Sequence, residues 1–135
     1  MLVGGSDGVP RIYRMNRLTK RVIGDDANMI RQFPAMRGRI FSVDFAPDGK
    51  RIVCASSLDG AGQIAIYSSE YDGTLTDELK VILEKLPGSW NAEERKKVEE
   101  INVAGIAQIA GIDLPTGQFA VAFSPDGQPI VAAGA

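Results

Sequence analysis

Histidine is missing from all 135 residues of this chain, and cysteine appears once. Without an imidazole, Ser-His-Asp and Cys-His nucleophilic systems, histidine-ligated zinc and the usual neutral-pH proton shuttle are excluded, which leaves only carboxylate or lysine chemistry. The lone Cys54 cannot close an internal disulfide and belongs to no Cys-x-x-Cys or haem-attachment pattern. Set in an apolar strand, it reads as an inert core residue rather than a reactive thiol. No apolar run approaches the roughly 20 residues of a membrane helix, and Met1-Leu2-Val3 lacks the basic flank and apolar core of a secretory signal. The sequence therefore predicts no catalytic, cofactor-binding or metal-binding residues in this chain and no membrane segment.

What is present suits one ordinary globular domain, with 44% apolar residues and mean hydropathy near zero. The formal charge of −2 hides an asymmetry. Residues 1–51 hold ten Lys or Arg against five Asp or Glu, net +5; residues 52–135 hold five against twelve, net −7. The two halves, or two copies, could attract each other. Arg11, Arg14, Arg17, Lys20 and Arg21 cluster, but without the interleaved aromatics and glycines of a nucleic-acid platform, so nucleic acid is not an expected partner.

The strongest pattern is a sentence written twice. "FSVDFAPDGKRIV" begins at Phe41 and "FAVAFSPDGQPIV" at Phe119, 78 positions later (119 − 41). Phe41, Val43 and Phe45 alternate as strand residues sharing one buried face, as do Phe119, Val121 and Phe123. The structural turns that follow, Pro47-Asp48-Gly49 and Pro125-Asp126-Gly127, combine a preset φ, a self-bonding aspartate and a glycine tolerant of positive φ, and predict tight hairpins. Return strands follow at residues 51–56 and 129–134, and Met1–Ser6 has the same profile. Ser6-Asp7-Gly8 precedes Arg11–Arg14 as Leu58-Asp59-Gly60 precedes Ala65–Ser68. Asp7 and Asp59 are expected to cap their own turns. Polar turns at 16–20 and 70–74 come next, the first leading to a short strand near Arg21-Val22-Ile23. Each unit thus reads as four strands, labelled a to d, the pattern of a propeller blade. Pro10 sits where a ladder donor is needed, and a bulge there would accommodate it.

Residues 76–103 change period. Leu79, Ile82, Leu83 and Leu86 form a helical stripe ended by Pro87-Gly88, and Asn91 with Glu94 resembles a capping box. The helix it opens, "AEERKKVEEIN", is mostly solvated, with Val98 and Ile101 as its seam and Glu93–Lys97 and Lys96–Glu100 as i,i+4 pairs. Residues 105–110 have a spacing of three that suits a helix, yet their place before strand a suits strand d; the strand is favoured.

"FAPDGKRIVCASSLDGAGQIAIY" and "FAVAFSPDGQPIVAAGA" resemble WD40-type β-propeller repeats. With "GGSDGVPRIYRM", "GDDANMIRQFPAMRGRIFSV" and "EERKKVEE", the chain is similar to the propeller of large planctomycete-type bacterial proteins that join a c-type cytochrome domain to WD repeats. The Gly-His dipeptide is absent, and Tyr13-Arg14 and Tyr67-Ser68 stand in place of Trp-Asp. The fold class expected is mainly β: a fragment of about two blades, with units 1–36 and 37–114, the start of another blade at 115–135, and a helical hairpin at 76–103. Too few blades are present to close a ring. The expected function is a non-catalytic interaction scaffold of a larger bacterial protein, its partner a protein or the missing blades, with self-association through open blade edges. Asp25, Asp26, Arg31 and Trp90 are the interaction-surface candidates. For Asp25 and Asp26 a solvated turn is the plain alternative; for Trp90 it is packing of the hairpin onto the blade. The resemblance also implies a second reading, the propeller part of an electron-transfer protein whose haem c lies outside this chain and whose setting is periplasmic or extracytoplasmic. A carboxylate pair, Asp44 with Asp48, is the weakest candidate for an enzyme.

Overall fold

A computed structural model describes residues 1–15, 28–69 and 75–135. The chain is mainly β, in three antiparallel sheets that do not close on one another. The first holds β1 (Leu2–Val3), β2 (Arg11–Tyr13) and β3 (Met29–Gln32); the second is a meander of β4 (Arg39–Phe45), β5 (Arg51–Leu58), β6 (Ala61–Ser69) and β7 (Ile106–Leu114); the third is the pair β8 (Gln118–Phe123) and β9 (Ile130–Gly134). Helices α1 (Asp77–Glu84) and α2 (Ala92–Val103) are inserted between β6 and β7.

The middle sheet is buried on both faces at β5 and much of β6, while β7 at its edge is largely exposed. Ile52, Cys54, Ala65 and Tyr67 pack with Ile40, Phe33 and Met36 and with Leu2 and Ile12 of the first sheet. Val53, Ala55 and Ile64 point the other way and pack with Val121, Phe123 and Ile130 of the third. That division follows the two-residue period of a strand, and it explains why Ile52 to Ser56 is an unbroken buried run.

The two repeated turns share one backbone. Gly49 N–H donates to Ala46 O at 2.9 Å and Ala46 N–H to Arg51 O at 2.9 Å; Gly127 N–H donates to Ser124 O and Ser124 N–H to Pro129 O, each at 2.9 Å. The φ values of Gly49 (70°) and Gly127 (76°) are those that glycine adopts without strain. Between β5 and β6, Asp59 (51°) and Gly60 (83°) form a two-residue turn with positive φ at both positions, the arrangement that matches strand twist.

Several details depart from the sequence expectations. Bulges interrupt β4 between Ile40 and Ser42 and β8 between Gln118 and Ala120. Phe41 and Phe119 are therefore extra residues rather than members of a regular alternation. Each is 48% exposed, and their rings meet edge-on with centroids 5.1 Å apart. The strand beside β2 is Met29–Gln32, while the strand predicted near Arg21–Ile23 and the polar turns at 16–20 and 70–74 lie outside the described residues. Pro10 precedes β2 and its carbonyl accepts from Phe33 N–H at 3.0 Å, so it has no ladder donor to supply; the bulge falls later, between Ile12 and Tyr13. Residues 106–114 form a strand.

In the insertion, Thr76 caps α1 by accepting from Leu79 N–H at 3.3 Å. The Asn91–Glu94 capping box is formed in both directions, at 2.8 and 3.0 Å. Of the stripe on α1 only Ile82 is fully buried, and Leu86 lies past the helix end in the open. On α2 the seam is Val98 with Asn102, not Ile101. Lys97 pairs with Glu78 across the hairpin rather than with Glu93, and Lys85 pairs with Glu94. The cross-helix partners are closer because the two helices lie side by side.

Candidate functional site

Three places bring polar groups or uncovered surface together: the junction of the second and third sheets, the outer face of the third sheet, and a cleft beside α2.

At the junction, side chains of the first repeat bond the backbone of the second. Ser42 Oγ accepts from Val121 N–H at 3.2 Å and donates to Val121 O at 3.3 Å. Two residues on, Asp44 Oδ2 accepts from Phe123 N–H at 2.8 Å. The unpaired edge of β8 is thus satisfied by side chains instead of another strand, which a bare edge otherwise requires. Arg51 adds a third pin: its Nη2 donates to Gly127 O at 3.0 Å and its guanidinium lies 5.6 Å from the Phe123 ring centroid. Asp44 therefore serves the sheet junction and Asp48 the turn. Asp48 accepts from Lys50 N–H at 2.9 Å and from Arg51 Nε at 3.3 Å. The bond from Lys50 N–H and the nearby Arg51 hold its carboxyl below the usual carboxylate range.

Shifted by 78 positions, Ser42, Asp44 and Arg51 become Ala120, Ala122 and Pro129. The outer face of the third sheet keeps the apolar residues of the repeat and loses its polar pins. Val53 is 0% exposed beneath the third sheet, whereas its counterpart Val131 is 68% exposed.

The cleft, about 620 Å³, lies between β3 and α2 and is lined by Met29, Gln32, Pro87, Trp90, Val98 and Asn102, with Val103 and four charged α2 residues around them. Trp90 holds the helical hairpin together through Nε1–H donated to Ile82 O at 2.8 Å while its ring faces the cleft. Arg31, expected on an interaction surface, is instead 2% exposed. Its guanidinium bonds Ser69 Oγ at 3.0 Å, Ile101 O at 2.6 Å and Ala104 O. Helix α2 has no basic residue in its last turn, and Arg31 brings the missing positive charge to the carbonyls at its C-terminal end from 70 residues away. Asp25 and Asp26 lie outside the described residues.

The remaining sequence candidates sit in turns or core. Asp7 accepts from Val9 N–H at 3.2 Å and pairs with Arg11 at 2.7 Å, and the Arg11 bond lowers its pKa. Asp126 accepts from Ser124 Oγ and from Gln128 N–H, which lower its pKa in the same way. Asp59 supplies a left-handed turn position. Burial pushes the Cys54 thiol up to about 12, far from a reactive thiolate. Sequence reasoning missed Ser42, Asp44 and Arg51 as junction pins; the change of all three between the two copies was the available signal. Asn102 was missed because a polar residue in a charged helix reads as surface, although its place four residues after Val98, on the same helix face, was the available signal.

Among the described residues, no three of Cys, Asp and Glu group as metal ligands, and no helix is long and apolar enough to cross a membrane. No protein-family model matches the sequence, and no curated protein matches it.

Proposed function

We propose that this chain is a segment of a WD40-type β-propeller and serves as a protein-interaction scaffold, with successive sheets stacked face to face and the outer face of the third sheet as a docking surface. The observation that carries this reading is the pairing of Val53 with Val131: the same residue at the same place in the repeat, covered in one copy and open in the other. A blade-like sheet buries its faces only against neighbours, and Ala120, Ala122, Val131 and Ala133 form an exposed apolar strip of the kind that marks an interface. Its occupant is a sheet of this type from a second copy of the chain. The opposite charges of the two halves, +5 and −7, favour head-to-tail approach. Because the polar pins are lost, apolar contact holds that occupant. The cytochrome-linked form of the reading rests on the resemblance and places haem outside the chain.

Sedimentation velocity tests the proposal. The chain is expected to associate as its concentration rises, and Val131→Lys to remain monomeric. Identical monomeric sedimentation of both across the range would contradict it.

A further inference from the structure

We propose that the cleft between β3 and α2 binds an extended, uncharged peptide segment of a protein partner, recognised through the side-chain amide of Asn102. Four polar or charged residues are buried among the described ones: Arg31, Ser56, Asn102 and Gln118. Arg31 bonds Ser69, Ile101 and Ala104; Ser56 Oγ donates to Gln63 O; Gln118 Nε2 donates to Thr116. The side-chain amide of Asn102, at 6% exposure, has no hydrogen-bond partner among the described residues. Its carboxamide carries two donors and one acceptor, and leaving such a group buried and unpaired is costly. It lines the cleft, whose volume of about 620 Å³ is that of a ligand pocket.

The lining chooses the ligand class. A carboxamide offers a donor beside an acceptor, the complement of a peptide group. Met29, Val98, Val103 and the Trp90 ring supply apolar walls. Arg95 and Lys96 are balanced by Glu99 and Glu100, so no net charge selects an ion. β3 is the outer strand of its sheet, and Met29 and Gln32 on it border the cleft, so an extended segment has a strand to run beside. The site belongs to the insertion and the first sheet, and its failure would leave the stacking reading untouched.

Trp90 is the only tryptophan, so its emission reports the cleft without a label. The probe is the blocked tripeptide acetyl-leucyl-alanyl-leucinamide, beside its analogue with the central amide replaced by an ester and beside N-methylacetamide. The expected result is a saturable change in Trp90 emission with the tripeptide, in step with movement of the Asn102 side-chain NH2 resonances. Affinity should fall about tenfold for the ester and at least as much in Asn102→Leu, while that variant keeps its circular dichroism and melts no lower than the parent. Three results would overturn the proposal: no saturable change, unchanged affinity in Asn102→Leu, or equal occupancy by N-methylacetamide at the same concentration. Should Asn102→Leu fail to fold, stationary Asn102 resonances in the parent chain under the tripeptide would overturn it alone.

Discussion

The β4–β5 hairpin is packed on both faces and the β8–β9 hairpin on one, although the two carry nearly the same residues around the same turn. Local chemistry decides the bend: Pro-Asp-Gly gives an identical pair of backbone hydrogen bonds in each. Neighbours decide everything else. In the first copy Ser42, Asp44 and Arg51 bond the second copy's backbone; in the second copy the equivalent alanines and proline bond nothing further. A repeated sequence thus specifies a repeated element, and the differences within the repeat specify how each element is used.

The largest predicted contrast is between Val53→Ala and Val131→Ala. The first empties a fully buried site and should cost about 2 kcal/mol in urea denaturation; the second should change stability by under about 0.5 kcal/mol. Equal effects would break the comparison. Next, Asp44→Ala removes the acceptor for Phe123 N–H and should cost about 1–2 kcal/mol, while Ala122→Asp, at the equivalent exposed position, should be close to neutral. Gly49→Ala and Gly127→Ala both force a side chain into positive φ and should each cost about 1 kcal/mol. Gly127→Ala should cost slightly more, because its new Cβ would meet Arg51 Nη2 at 3.2 Å and Pro47 Cδ at 3.4 Å, whereas Gly49 has open space.

The smallest effect is in acid. Asp48 and Asp126 both have folded pKa values below their unfolded ones. Their stabilisation is therefore complete above the unfolded value, about 3.9, and is lost as pH falls through the folded values. Denaturation midpoints should be flat from pH 5 to about 8, where no histidine titrates, and should decline below about pH 4. Asp48→Asn and Asp126→Asn should flatten that decline similarly. A decline confined to one turn would separate the copies where their local geometry is the same.

The parts legible in the sequence are those whose causes are local. The hairpins follow from Pro47-Asp48-Gly49 and its repeat, and the start of α2 follows from Asn91 and Glu94 within one turn. The bulges at Phe41 and Phe119 were not legible, since register depends on which residue lies across the ladder and the alternation alone continues unbroken. Arg31 looked like a surface residue because its partners, Ile101 and Ala104, lie on an inserted helix far along the chain. Asn102 shares the face of the expected seam residue Val98 four positions earlier, but its polar side chain gives no local reason for burial, which comes from the packing of α2 against β3.

Amide hydrogen exchange on the dilute chain tests the central claim most directly. With β5 covered on both faces and the last sheet on one, the β5 amides of Val53 and Ala55 should exchange only on global unfolding, and those of Val131 and Ala133 on β9 markedly faster. Equal protection of the two strands in the monomer would contradict the account.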